Sequence, residues 1–272
     1  MRSPVHHSVS AMSATIGDMC GRFAVTTDPA LLAEKIKAID EATGTDERAS
    51  EPNYNVAPTT TIATVVTRHD EPDDQATRRV RLMRWGLLPP WVKAGPDGAP
   101  ENKGPLLINA RADKVATSPA FRASAKSKRC LVPMDGYYEW RTNPDGGTAK
   151  KAGKTPFFMY RSDGEPLFAA GLWSVWKADR EAKPLLSCTI ITTDAVGELA
   201  EIHDRMPLML GEGDWDAWLK PDAPLDPELL ARPPDVHDIE LREVSKLVNN
   251  IRNNGPELLE PAEPEPGQMT LL

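Results

Sequence analysis

The sequence predicts an α+β fold, a single domain with a largely antiparallel, barrel-like β core and short peripheral helices. Short β-branched or aromatic segments recur along the chain, whereas apolar residues at helical spacing occur only in brief stretches. The 26 Pro and 18 Gly among 272 residues interrupt longer elements and leave many ordered loops. We find no linker or internal repeat that would divide the chain.

The strands are predicted from runs of β-branched and aromatic residues or from alternation. They are expected at residues 20–25, 61–67, 79–85, 130–140 (strand, turn, strand), 157–161, 167–173, 185–193 and 237–244. Residues 162–165 (Ser-Asp-Gly-Glu) form a good turn sequence, so we expect the strands on either side to pair as a hairpin.

Short helices are predicted where a capping side chain precedes a brief apolar pattern. Asp28 before Pro29 and Asp226 before Pro227 are N-cap pairs, and Asp194 is expected to cap a third helix. Further helical segments are expected at 118–126 and 214–219.

Proline and glycine define the predicted loops. Two prolines make residues 52–59 an ordered loop, and residues 86–105 form a loop of about twenty residues. Loops of that length are usually functional or disordered, and the aromatic side chain of Trp91 lies in this one.

Composition and sequence pattern argue against several classes of protein. A net charge of −8 disfavours nonspecific nucleic-acid binding by the whole surface, although a local basic patch would suffice. Three widely spaced cysteines give neither a disulfide framework nor a CxxC zinc signature, and they favour a reducing compartment. No apolar run approaches the ~18 residues of a membrane span, and residues 1–18 lack the apolar core of a secretory signal. We therefore expect a cytoplasmic protein.

Residues 19–23, Met-Cys-Gly-Arg-Phe, contain Cys20, the residue with the most unusual potential reactivity in the chain. If Met19 and everything before it were absent, Cys20 would carry a free α-amine and a thiol on adjacent carbons. Such a 1,2-aminothiol traps an aldehyde as a five-membered thiazolidine. Both groups titrate near neutrality, at roughly 7.7–8 for the amine and about 8.5 for the thiol. The alternative is that Cys20 is a small buried apolar residue, as most free cysteines are.

Three further polar side chains are embedded in apolar sequence, and each has two interpretations. Glu139 follows two tyrosines and precedes Trp140, so it is either a desolvated general acid or an outward residue on a strand. His203 is either a catalytic imidazole oriented by Asp204 or an ordinary histidine at a helix end. Asn109 either binds a catalytic group or caps a turn.

Arginines and tryptophans near these candidates bias the substrate toward nucleic acid. Guanidinium groups suit phosphates, and exposed aromatic rings stack on unpaired bases. The candidates are Arg22, Arg84, Arg111 and Arg205, with Trp85 and Trp91. The alternative is a set of ordinary surface ion pairs. Cys130 and Cys188 lie in apolar strand segments and are expected in the core.

Seven motifs occur in the order found in the SOS response-associated peptidase (SRAP) family, which the chain resembles over residues 19–260. They are MCGRF (19–23), YNVAPT (54–59), RWGLLPPW (84–91), INAR (108–111), PMDGYYEW (133–140), IHDRMP (202–207) and VSKLVNN (244–250). Residues 1–18 are expected to be a disordered leader or an upstream start, and residues 261–272 a disordered tail.

The resemblance implies a monomeric protein that cross-links to abasic sites in single-stranded DNA and needs no metal or organic cofactor. Cys20 would be the nucleophile after self-catalysed loss of Met19, and Asn109 would position it. Glu139 would be the acid/base for ring opening and methionine removal, and His203 would assist. The DNA would be contacted by Arg22, Pro58, Arg84, Trp85, Trp91, Arg111 and Arg205. When bound to DNA, the protein would be associated with the nucleoid.

The sequence departs from the family pattern because Cys20 is not its second residue. Two alternatives stay open: a thiol peptidase that acts on other proteins, and a noncovalent module that binds single-stranded DNA.

Overall fold

Two β sheets form the framework of the protein, in a computed structural model that describes residues 21–46, 48, 50–101, 103–143 and 153–263. The strands of these described residues, in chain order, are β1 (Arg22–Val25), β2 (Ile39–Asp40), β3 (Asn53–Val56), β4 (Thr61–Arg68), β5 (Thr77–Trp85), β6 (Asn109–Arg111), β7 (Arg129–Met134), β8 (Gly136–Thr142), β9 (Lys154–Arg161), β10 (Leu167–Trp176), β11 (Leu185–Asp194), β12 (Arg205–Pro207) and β13 (Ile239–Glu243).

The helices are short and lie between these strands. They are α1 (Pro29–Lys35), α2 (Arg122–Ser127), α3 (Glu212–Leu219) and α4 (Pro227–Ala231), with 3₁₀ turns at Gly197–Glu201, Lys246–Asn249 and Pro256–Leu258. Two of the three predicted caps are present: Asp28 accepts a hydrogen bond from the amide of Ala30, and Asp226 from that of Glu228, both at 2.8 Å. Among the described residues, none of these helices is both long and apolar enough to cross a membrane.

Five strands of the larger sheet close on themselves. β5, β4, β7, β10 and β11 pair antiparallel in that order, and a parallel pairing of β11 with β5 completes the circle. The smaller sheet is antiparallel, in the order β13-β9-β8-β1-β3. This arrangement confirms the predicted α+β fold with its barrel-like core.

The core divides according to the two faces of the barrel strands. Adjacent residues of one strand, such as Cys130 and Leu131, belong to different apolar clusters, as expected from alternation along a strand. One cluster packs against α1, α3 and α4, and the other packs against the smaller sheet through Phe23 and Tyr137. The second cluster therefore joins β1 and β8 to the barrel.

Three local predictions are wrong. β9 and β10 do not form a hairpin: β9 pairs with β8 and β13, whereas β10 pairs with β7 and β11. A turn sequence specifies that the chain reverses, but it does not specify which strand becomes the partner. In this case the turn crosses from one sheet to the other.

The other two errors concern residues 52–59 and Asp194. Residues 52–59 contain β3, because both prolines flank the strand and leave its amides free to pair with β1. Asp194 ends β11 instead of capping a helix, and its carboxylate accepts a hydrogen bond from Arg205. The following 3₁₀ turn begins after Val196, without a side-chain cap.

Candidate active site

β1, which contains Arg22 and Phe23 of the MCGRF motif, pairs with β8, which contains Glu139. Arg22 is opposite Tyr138, and Phe23 is opposite Tyr137, in an antiparallel register. The next position toward the start of the chain, Gly21, therefore comes to the level of Glu139. Met19 and Cys20 themselves lie outside the described residues, as do residues 1–18, so the prediction of a leader or an upstream start stays a prediction.

Glu139 is buried, with 4% of its surface exposed. It is the fourth residue of β8, opposite Phe157 of β9. The interpretation in which its side chain points to solvent is therefore excluded. Tyr138 beside it is fully buried, and its hydroxyl donates to the carbonyl of Tyr54 at 2.8 Å. Burial raises the pKa of Tyr138 well above that of an exposed phenol.

Asn109 and Arg111 lie on β6, which runs parallel to β11. Asn109 is opposite Ile190, and Arg111 is opposite Thr192. Arg84 at the end of β5 is opposite Ser187 on the same strand. At about 3.3 Å per residue, β11 thus spreads these three side chains over about 17 Å along one direction.

Arg205 lies where β11 ends, opposite Asp194. Its guanidinium donates to the carboxylate of Asp194 and to the carbonyl of Thr192, the latter at 2.6 Å. Its Nε is buried and has no hydrogen-bond partner among the residues that the structure describes. Arg205 and Arg111 therefore both lie at the Thr192–Asp194 end of β11.

His203 precedes Arg205 by two residues, and only 15% of its side chain is exposed. Its Nδ1 accepts a hydrogen bond from the amide of Arg205 at 3.1 Å, which requires the ring proton to be on Nε2. Asp204 Oδ1 is also 3.1 Å from Nδ1, and that contact would require the proton on Nδ1. His203 shares a groove with Trp140 and Arg141, so it faces the strand that carries Glu139.

The arginines in the site are held by protein groups. Arg111 donates to both carboxylate oxygens of Asp113, at 2.9 and 3.2 Å, and this bonding raises the pKa of Arg111 and lowers that of Asp113. Arg84 donates to the carbonyl of Gly86 at 2.6 Å, and burial lowers its pKa.

Arg22 is buried, and its predicted phosphate contact has to be considered beside a structural one. Its Nη1 donates to Asn55 Oδ1 at 2.7 Å and to the carbonyl of Val248 at 2.8 Å. Burial lowers the pKa of its guanidinium. The contact with DNA stays a prediction, while the structure shows Arg22 holding the segment that follows β13.

Sequence reasoning missed Asn55, which is 4% exposed and completes this arrangement. Its side-chain amide donates to the carbonyls of Val248, Asn250 and Asn253, at 3.2, 3.1 and 3.0 Å. The available signal was its place inside the YNVAPT motif, together with an asparagine-rich motif near the end of the chain. Asn55 thus ties β3 to the loop beside β1.

The two predicted tryptophans have different environments. Trp91 is 59% exposed and lines a groove of about 240 Å³ with Arg84 and Leu106. Trp85 is 0% exposed, and its Nε1 donates to the carbonyl of Ile108 at 3.0 Å. A base cannot stack on a ring without exposed surface, so this structure corrects the expected contact of Trp85 with DNA. The base-contacting role can belong to Trp91.

Pro58 is half-buried at a tight turn between β3 and β4. The following residue, Thr59, has φ = +76°, a left-handed conformation that is uncommon outside glycine. The amide of Thr59 donates to the carbonyl of Trp85 at 2.8 Å, and that of Trp85 donates to the carbonyl of Thr60 at 2.9 Å. These two bonds fix Pro58 beside the end of β5.

The described residues contain no group of three or more His, Cys, Asp or Glu side chains that could hold a metal ion. The candidate residues supply a buried carboxyl, an imidazole, an amide and guanidinium groups, of which His203 lies in a groove beside the strand of Glu139, and Arg111 and Arg205 lie at the same end of β11. These are groups for proton transfer and anion binding.

Alkylation of the folded protein is expected to leave Cys130 and Cys188 unmodified. Both are fully buried, and burial raises the pKa of Cys130 well above its usual value and that of Cys188 to about 12. Their thiolates, the reactive forms, are therefore scarce at pH 8. Iodoacetamide should label the folded protein at Cys20 at most and the urea-unfolded protein at all three cysteines, as read by peptide mass spectrometry. Labelling of Cys130 or Cys188 in the folded protein would contradict this expectation.

Comparison with known proteins gives consistent matches over most of the chain. Residues 19–251 match the family model described as SOS response associated peptidase (SRAP). The chain is 37% identical over 246 residues to the abasic site processing protein YoqW of Bacillus subtilis, covering 89% of this chain and 99% of that protein. It is 33% identical over 236 residues to the abasic site processing protein HMCES of Gallus gallus, covering 78% and 67%.

A solved structure from Bacteroides thetaiotaomicron has the same fold. It superposes with a TM-score of 0.71 at 23% identity and covers 90% of this chain and all of that one.

Proposed function

Because the chain belongs to the SOS response associated peptidase family, we propose that it captures abasic sites in single-stranded DNA through Cys20. The observation that carries this proposal is the register of β1 against β8, which brings the chain leading from Cys20 to the level of a buried carboxyl. The names of the relatives, abasic site processing proteins, support the same substrate.

The covalent step uses both groups of an amino-terminal cysteine. The α-amine of Cys20 adds to the aldehyde carbon of the ring-opened abasic sugar, and loss of one water gives an imine. The thiolate then adds to the imine carbon, and the nitrogen takes up a proton, which closes a thiazolidine. The net reaction joins aldehyde and aminothiol and releases one water. The adduct no longer contains the imine that would promote strand cleavage.

This chemistry requires that Cys20 begin the mature chain. Translation that starts at Met19, followed by hydrolysis of the Met19–Cys20 peptide bond by the protein itself, would produce it. Such hydrolysis consumes one water and releases free methionine. In this proposal Glu139 is the acid and base for hydrolysis and for sugar ring opening, since its carboxyl is withdrawn from bulk water.

The remaining site residues orient and bind. His203 assists ring opening and reversal of the cross-link, and Asn109 positions the amino-terminal cysteine. Arg111, Arg205 and Arg84 contact phosphates along β11, while Trp91 stacks on a base beside the lesion. Pro58 and Arg22 line the site near β1 and β3.

The test uses protein that begins at Cys20 and a single-stranded oligonucleotide with one abasic site. We expect a heat-stable, slower band on a denaturing gel, and we expect Cys20→Ser to abolish it. An oligonucleotide without the lesion is the control. Absence of the band with the unsubstituted protein would refute the proposal.

The same samples separate the two alternative functions. A thiol peptidase would turn over unrelated peptides and lose that activity on thiol alkylation. A noncovalent module would bind intact and abasic strands equally, with salt-dependent affinity, and would keep this binding after Cys20→Ala. Either result without a covalent band would replace the proposal.

Asp113→Asn is expected to strengthen binding to single-stranded DNA by about threefold at low salt, because it frees Arg111 from its bidentate partner. Fluorescence anisotropy with a labelled oligonucleotide measures this change. Asp163→Asn is the matched control, since Arg161 binds Asp163 with the same two-residue spacing on β9, away from β11. Equal tightening by both variants would indicate an effect of net charge alone, and it would contradict a contact between Arg111 and DNA.

A further inference from the structure

Trp85 contacts three separate segments that lead to predicted site residues, although its ring is wholly inside the protein. The first is β1. The ring of Trp85 lies edge-on to that of Phe23, with centroids 4.8 Å apart and planes at 63°. Phe23 is three residues from Cys20, so this contact fixes the strand that supplies the amino-terminal group.

The second segment carries Asn109. The carbonyl of Ile108, the preceding residue, accepts the indole N–H of Trp85 at 3.0 Å and the amide of Ile190 at 3.0 Å. The amide bond comes from β11, whereas the indole bond comes from Trp85 of β5, whose ring also contacts Phe23 of β1. The indole is therefore the group that links the position of Asn109 to that of β1.

The third segment is the turn that carries Pro58. Backbone bonds between Trp85 and residues 59 and 60 fix this turn, which contains the left-handed Thr59. One residue thus joins the turn after β3, the segment before β6 and the interior face of β1.

We propose that Trp85 is a positioning residue that sets the separation between β1, the strand that follows Cys20 in the chain, and Asn109. This inference rests on the proposed function, because it concerns the geometry in which Cys20 reacts. A misplacement of about 1 Å in a reacting group can lower a rate by as much as about a hundredfold. The ring contact holds β1, and the indole bond holds the segment that carries Asn109, so together they fix the distance between β1 and Asn109.

The experiment compares Trp85→Phe with Trp218→Phe, both in protein that begins at Cys20. Trp218 is a matched control because it is 1% exposed and its Nε1 also donates to a backbone carbonyl, that of Cys130, at 2.8 Å. It lies on α3 and belongs to the apolar cluster that does not contain Trp85. Each variant loses one buried indole N–H, so the loss of stability in urea should be similar.

The readout is single-turnover cross-linking to an abasic oligonucleotide over a range of DNA concentrations. For Trp85→Phe we expect the rate at saturation to fall by about tenfold, with the half-saturating concentration within about twofold of the parent value. Trp218→Phe should leave both quantities unchanged. A residue that only stabilises the fold would give equal rates in the two variants after correction for the folded fraction.

The outcomes separate this inference from the proposed function. Cross-linking by the parent, together with equal rates for the two variants, would overturn only the role of Trp85. Absence of cross-linking by the parent would overturn both. If Trp85→Phe does not fold, Phe23→Leu removes the same ring contact from the other side and is expected to slow saturated cross-linking by about threefold. An unchanged rate for a folded Phe23→Leu would then overturn the inference.

Discussion

Glu139→Gln is expected to slow cross-linking at saturating DNA by about a hundredfold or more, the contribution typical of general acid–base catalysis. Glutamine has the same shape and fits the buried site, where 4% of the residue is exposed, but it cannot give up or take up the proton. Binding of DNA should change little, because the arginines that would hold phosphates are elsewhere, on β5, β6 and β12. The effect should therefore appear in the rate and not in the half-saturating concentration.

The measurement is the same single-turnover assay, with removal of Met19 followed by intact-mass spectrometry as a second readout. Retention of Met19 in Glu139→Gln is expected, since the same carboxyl would serve both reactions. The control is Glu240→Gln on β13, two strands away in the same sheet, where the carboxylate accepts an exposed hydrogen bond from the Tyr160 hydroxyl. A normal rate in Glu139→Gln would exclude Glu139 as the acid.

Element types were predictable from the sequence wherever local chemistry decides them. Asp28 and Pro29 specify the start of α1 because the cap and the fixed φ of proline act within one turn. Pairing is different, since it depends on which distant surfaces must be buried. β9 and β10 are adjacent in sequence but join different sheets, and nothing within the turn at 162–165 carries that information.

The same distinction between local and long-range information applies to the candidate site. The sequence left two orientations open for Glu139, because alternation along β8 does not say which face is covered. Burial is settled only in the folded protein, where both faces of β8 are covered. Tyr137 packs in the cluster that joins β8 to the barrel, and Tyr138 on the other face packs with Val248 and Leu258. Trp85 illustrates the opposite error: an aromatic residue among arginines suggests a stacking surface, yet its 0% exposure places it in the core.

Asn55 could not be assigned a partner from the sequence, because its hydrogen bonds reach residues almost two hundred positions away. Its motif marked it as a member of the family pattern. The structure adds the physical reason, which is the satisfaction of three buried or half-buried carbonyls by one amide. The same loop accepts from Arg22 and from the indole of Trp140, through Val248 and Asn249.

Gly136→Ala is expected to destabilise the protein by about 3 kcal/mol or more, one of the largest effects that a single methyl group can have. A Cβ at this position would overlap the carbonyl oxygen of Met159 and lie 2.8 Å from Cε2 of Phe158. The carbonyl belongs to the neighbouring strand, so β8 and β9 would have to separate. The ring cannot move away easily, because Phe158 is 2% exposed and packs against Tyr138 with centroids 4.9 Å apart.

Urea unfolding followed by circular dichroism measures this loss as a lower midpoint at unchanged slope. Gly213→Ala in α3 is the control, because no heavy atom lies within 4 Å of its added Cβ, and alanine is the better helix former by up to about 1 kcal/mol. Gly136 begins the strand in which Glu139 is the fourth residue, so any folded fraction of Gly136→Ala should also cross-link more slowly. A variant as stable as the parent would contradict the close approach of β8 and β9 at Gly136.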